Sequence, residues 1–115
     1  MKSNAQQYLP LSPATLHILL ALTGGELHGY GIMLEAARHS GGQYKIGPGT
    51  LYDNLKKLLA AGLVEESQRE DLETGERRKF QITTLGYDVL AAEVERLSGV
   101  LRHARRSIRL AERRS

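Results

Sequence analysis

Cysteine and tryptophan are both absent from the 115 residues. Without thiols there is no disulfide framework, no thiolate metal site and no cysteine nucleophile. Phenylalanine occurs once and tyrosine five times. An aromatic stacking pocket would therefore draw on residues such as Tyr8 and Tyr87, or on aliphatic side chains. No apolar run approaches the ~18 residues of a membrane span. The opening Met-Lys-Ser-Asn-Ala-Gln-Gln lacks the apolar stretch of a signal peptide. A cytoplasmic protein with no membrane partner is expected.

Catalytic patterns are missing too. His17, His28, His39 and His103 stand at no metal-ligand spacing, and Gly47-Pro48-Gly49 lacks the Gly-Lys-Ser/Thr of a phosphate loop. There is no nucleophile elbow and no pair of carboxylates in an apolar context. The expectation is a non-enzyme without cofactor or metal. The length suits one domain, and the net charge of +3 permits a nucleic-acid partner.

What is present is clearest between Gly47 and Gly86. Pro48 suits a first helical position, where its missing N–H loses nothing. Leu51, Leu55, Leu58 and Leu59 recur at i, i+4, i+7 and i+8, one apolar stripe of a helix. Gly62 follows as a left-handed cap, with Leu63 free to fold back on Leu58. The opposite face carries Thr50, Asp53, Asn54 and Lys57, flanked by Tyr52 and Lys56. Such side chains bond base edges and phosphates.

A two-stranded ribbon follows. Its first strand begins near Leu63 and Val64, Thr74-Gly75 suits the tight turn, and Phe80 and Ile82 alternate with Lys79, Gln81 and Thr83. Arg77, Arg78 and Lys79 cluster near the ribbon tip, where three cations suit a phosphate backbone. Residues 61–86 nevertheless hold four cations (Arg69, Arg77, Arg78, Lys79) against six anions (Glu65, Glu66, Glu70, Asp71, Glu73, Glu76). Only the return strand is basic.

Upstream, Ser12-Pro13 is a helix start, and Ala14–Leu22 is apolar on most sides. A second helix after Leu27-His28-Gly29 shows Tyr30, Met33, Leu34 and Ala37 at helical spacing, predicting that face as its inner one. Gln43-Tyr44-Lys45-Ile46 is short and extended and is expected to pair with the ribbon as a third strand. The order helix, helix, strand, helix, ribbon is that of a mainly α winged helix-turn-helix with a small β-ribbon, over residues 1–86.

Residues 87–115 read as a dimerisation helix. Tyr87, Leu90, Val94, Leu97, Leu101, Ala104 and Ile108 alternate in steps of three and four, an a/d seam. Thr84 is the expected N-cap, with Asp88 in the first turn. About 25 residues at 1.5 Å each make a rod of roughly 38 Å, too long to bury its seam on so small a domain. A second copy is the expected partner. Asp88, Glu93 and Glu95 precede Arg102, Arg105, Arg106 and Arg109, so antiparallel or crossed pairing sets acid against base. Gly99 inside the seam is a candidate kink.

Leu27-His28-Gly29-Tyr30, Pro48-Gly49-Thr50-Leu51-Tyr52, Gly62-Leu63-Val64 and Arg77-Arg78-Lys79 leading to Ile82-Thr83-Thr84-Leu85-Gly86 together resemble the PadR-type bacterial transcriptional regulators. The resemblance spans roughly residues 11–86. It implies a homodimeric repressor on double-stranded DNA, with the third helix in the major groove and the wing on neighbouring backbone. Tyr30, Thr50, Tyr52 and the Arg77–Lys79 run would then be DNA contacts. Lys45, Asn54, Lys56 and Lys57 complete the candidate set from the residues themselves. The resemblance also implies a small hydrophobic or aromatic effector near the dimer interface. The chain departs from the family's frequent pattern in carrying Asp53 and Gly47, and Lys79-Phe80 in place of paired tyrosines. A second class of function fits the same fold: a protein-interaction module whose seam or acidic ribbon binds protein and not DNA.

Overall fold

Ser12 opens the first helix as read: its Oγ accepts the Thr15 N–H at 3.2 Å, and Pro13 takes the first helical position. In the computed structural model, which describes residues 4–68 and 78–114, a 3-10 turn at Ala5–Tyr8 leads into α1 (Pro13–Leu22). Then come β1 (Leu27–His28), α2 (Gly29–His39), α3 (Pro48–Ala61), β2 (Val64–Gln68), β3 (Lys79–Ile82) and α4 (Thr84–Arg114). The helices enclose one apolar core and the strands form a three-stranded antiparallel sheet against it, in the order β1-β3-β2. This is the winged helix-turn-helix with a long C-terminal helix.

α1 is central. Ile18, Leu19, Ala21 and Leu22 are all at most 2% exposed, and Leu51 and Leu55 of α3 meet them in the same cluster. Full burial of each leucine or isoleucine contributes about 1.5–3 kcal/mol relative to exposure. α3 ends as its sequence dictates. Gly62 takes φ +77°, and the Leu63 N–H bonds the Leu58 carbonyl at 3.0 Å. Those two features close a Schellman-type cap.

Four expectations are corrected. The third strand is Leu27–His28, paired with Phe80 and Lys79 of β3, and residues 43–46 form no strand. Ser40 explains the difference: its Oγ accepts the Tyr44 N–H at 2.9 Å and lies 3.2 Å from the Tyr44 carbonyl. The Tyr44 backbone is thus satisfied locally and needs no ladder. The inner face of α2 is Gly29, Ile32 and Ala36, with Met33 beside it, while Tyr30 and Leu34 are exposed. Both stripes have the same 3.6-residue spacing, and the buried one is rotated by a single position.

The cap of α4 is Thr83, not Thr84. Its Oγ1 accepts the Gly86 N–H at 3.0 Å and donates to the Gly62 carbonyl at 2.6 Å, so one hydroxyl joins the end of α3 to the start of α4. Asp88 accordingly lies beyond the first turn, which holds no acid. α4 runs through Gly99 as one helix of 31 residues, about 46 Å long. Its first turns bury Gly86, Val89, Leu90 and Glu93 on the domain, and every residue from Val100 to Arg114 is exposed.

Candidate nucleic-acid interface

α3 presents its polar face because its leucine stripe is spent on the core. Thr50, Tyr52, Asp53, Lys56 and Lys57 are all exposed. Tyr52 is about half exposed, and its ring reaches back over α2, where Gly29 makes room. A Cβ at Gly29 would stand 2.3 Å from the Tyr52 hydroxyl oxygen. The glycine therefore lets the two helices of the helix-turn-helix approach closely.

β3 brings the wing's charge against this face. Tyr52, Leu55, Lys56 and Leu59 of α3 line one groove of about 340 Å³ together with Arg78 and Phe80 of the wing. Its floor is apolar and its rim holds two cations and a phenol. The Arg78 guanidinium lies 5.1 Å from the centroid of the buried Phe80 ring, a cation–π contact that fixes its height above the sheet. The groove thus gathers a hydrogen-bonding hydroxyl and two positive charges at a spacing set by helix and strand together, the arrangement an anionic backbone requires.

Other residues expected at this site stand elsewhere or are otherwise engaged. Asn54 turns toward α1: its Nδ2 donates to the Thr50 carbonyl at 2.8 Å, and its Oδ1 faces the Thr15 hydroxyl at 3.4 Å. Lys45 is exposed on the loop between α2 and α3. Tyr30 is 60% exposed on the first turn of α2. Arg77 lies outside the described residues.

The acids that the sequence sets against the wing's cations do pair there. Arg78 is ion-paired with Glu66 at 2.5 Å, Lys79 stands 3.9 Å from Glu26, and the Gln81 amide donates to Glu65 at 2.6 Å. The alternation of acids on one strand with cations on the next was the available signal. Sequence reading missed the role of Glu93, taken only as part of the acidic half of the last helix. That side chain is 1% exposed; it accepts the Leu11 N–H at 2.7 Å and pairs with Arg96 at 2.5 Å. The Arg96 hydrogen bond holds its carboxyl below the usual carboxylate range; burial opposes this, and the Leu11 N–H and the Arg96 charge assist it.

Comparison with known proteins agrees with this fold. The model of the transcriptional regulator PadR-like family matches residues 18–92, from the middle of α1 to the buried turns of α4. A Mycobacterium tuberculosis transcriptional regulator is 34% identical over 87 residues, covering 76% of this chain and 78% of that one. The chain belongs to the PadR-like family of transcriptional regulators. A protein of a Streptomyces fradiae transposon is 38% identical over 89 residues, 75% of this chain, and this chain spans about a quarter (24%) of its length. Bacillus subtilis PadR in complex with operator DNA superposes with a TM-score of 0.64 and 25% identity, over 74% of this chain and 47% of that one. Among the described residues no His, Asp or Glu cluster could hold a metal, and no helix is long and apolar enough to cross a membrane.

Proposed function

We propose that this PadR-like protein acts in the cytoplasm as a homodimeric repressor, each copy laying α3 in the major groove of one half of a pseudo-palindromic operator. The observation that carries the reading is the convergence of Tyr52, Lys56 and Arg78 on one groove between α3 and the wing. Half-sites one helical turn, about 34 Å, apart would match two such faces.

The uncovered seam of α4 supports the dimer. Val94, Leu97, Leu101 and Ile108 are between 37% and 59% exposed, and Tyr87 is as open. Leu90 is buried in its own domain and leaves the seam. Antiparallel or crossed pairing would bring the exposed Asp88 and Glu95 toward the partner's arginines, and Glu93, being paired internally, takes no part. A small hydrophobic or aromatic effector would meet the apolar side chains of both copies beside this seam.

The test is an electrophoretic mobility shift with the DNA immediately upstream of the protein's own reading frame, at two salt concentrations with unrelated competitor. The expected result is a shift that survives competitor and weakens as salt rises. No shift at either salt, from protein shown to be dimeric, would move the reading to a protein-interaction module.

A further inference from the structure

β3 lies between two neighbours that both bring carboxylates to it. Glu65 and Glu66 come from β2 on one side, and Glu26 comes from just ahead of β1 on the other. The register explains the partners. Glu65 stands directly opposite Gln81, whose amide it accepts at 2.6 Å, and Glu66 stands opposite Phe80, which places it diagonal to Arg78. Arg78 and Lys79 are thus met by two glutamates, Glu66 and Glu26, one carboxylate to each cation. The pairs are open to solvent: the side chains of Arg78, Glu66, Lys79 and Glu26 are between 27% and 44% exposed. A phosphate docking on this strand meets cations already holding carboxylates and has to displace them.

We propose that Glu66 and Glu26 restrain the wing's affinity for DNA of unmatched sequence. The inference rests on the DNA-binding reading above. Each wing cation exchanges a carboxylate for a phosphate on docking, so its phosphate contact adds less net free energy than that of a solvated lysine or arginine. A matching operator drives the exchange through base contacts made by α3. An unrelated duplex offers only phosphates, and the exchange then gains little. Glu66 and Glu26 act through Arg78 and Lys79, as positioning residues for specificity and not as DNA contacts.

The experiment uses the full-length protein and sheared duplex DNA of mixed sequence, with binding followed by fluorescence anisotropy across a salt series. Wild type is compared with Glu66→Gln and Glu65→Gln. The two variants remove the same charge from the same strand, but among the described residues Glu66 pairs with a cation and Glu65 with the Gln81 amide. Glu66→Gln is expected to tighten mixed-sequence binding about two- to five-fold, the range of an exposed ion pair, and to steepen the salt dependence. Glu65→Gln is expected to give less than half of that change. Equal effects of the two variants, or no tightening by Glu66→Gln, would overturn the inference while leaving DNA binding in place. Wild type that binds no duplex at low salt would overturn the DNA reading and this inference together.

Discussion

The Glu93 carboxylate accepts the backbone N–H of Leu11 at 2.7 Å, a bond between residues 82 positions apart. It ties the segment ahead of α1 to the third turn of α4, the last part of that helix buried on its own domain. The same carboxylate takes two bonds from the Arg96 guanidinium, at 2.5 and 3.1 Å. Removing it leaves a part-buried donor without its acceptor and takes the carboxylate from Arg96 at once. Glu93→Ala should destabilise the fold by about 2–4 kcal/mol, read as a fall in the urea midpoint with an unchanged slope. A loss under about 0.5 kcal/mol would place the carboxylate outside the fold's energetics.

The same pair sets a pH dependence. Glu93 is held below its ordinary value in the folded state, chiefly by its hydrogen bond from Arg96. The folded protein therefore binds fewer protons at this site than the unfolded chain. The contribution is fully present above the unfolded value of about 4.3 and is lost as pH falls through the lower folded value. Wild type should accordingly lose stability relative to Glu93→Gln below about pH 4.3. Urea midpoints of both proteins across the acid range check this, and parallel curves would sink it.

Two glycines of α4 should respond oppositely to alanine. A Cβ at Gly86 would lie 2.1 Å from the Leu63 carbonyl oxygen and 2.9 Å from Ile82 Cγ1, and the carbonyl belongs to backbone that also bonds Thr83. Gly86→Ala should cost about 1–3 kcal/mol after the helix-propensity gain is offset. Nothing within 4 Å meets a Cβ at Gly99. Gly99→Ala should stabilise the isolated chain by up to about 1 kcal/mol. Thermal melts of both variants suffice. A destabilised Gly99→Ala, seen only at concentrations where the protein is dimeric, would show that the partner helix crosses there.

These outcomes bear on what could be read from the chain alone. Local chemistry was legible at the start of α1 and the end of α3, where the deciding partner sits within a few residues. Ser12 caps Thr15, Gly62 turns left-handed, and Leu63 bonds back to Leu58. The stripe of α3 was legible because its polar face holds no large apolar residue besides Tyr52. α2 offered two stripes of equal spacing, and bulk favoured Tyr30 and Leu34. Packing chose Gly29, Ile32 and Ala36, because Tyr52 needs the space above Gly29. The strand at residues 43–46 failed through a serine hydroxyl three positions upstream of it. Glu93 and the Glu26–Lys79 pair were not legible. Their partners come from elements that only the folded chain brings together.

Lys56 offers a direct check on the groove. It is exposed, and it lines the same groove as Arg78 with no carboxylate partner among the described residues. A phosphate contact there releases about one counterion. Lys56→Ala should weaken binding to all duplexes by a similar factor and lower the salt slope by about one. A variant that changes the preference among sequences while keeping the slope would assign Lys56 to base contact instead.

The seam of α4 yields the last test. Leu101 is 49% exposed and lies two turns beyond Glu93, where the helix leaves its own domain. Leu101→Glu leaves the core intact and places a charge in the proposed interface. In a symmetric dimer two leucine burials are lost, each worth about 1.5–3 kcal/mol, before any cost of burying the carboxylates. The dimer dissociation constant should rise by at least about 100-fold. Sedimentation velocity at matched concentrations reads this directly, with the helical content unchanged by circular dichroism. DNA affinity should fall with the dimer, since each half-site would then be bound by a separate molecule. A Leu101→Glu protein that sediments as wild type does would remove the seam from the interface.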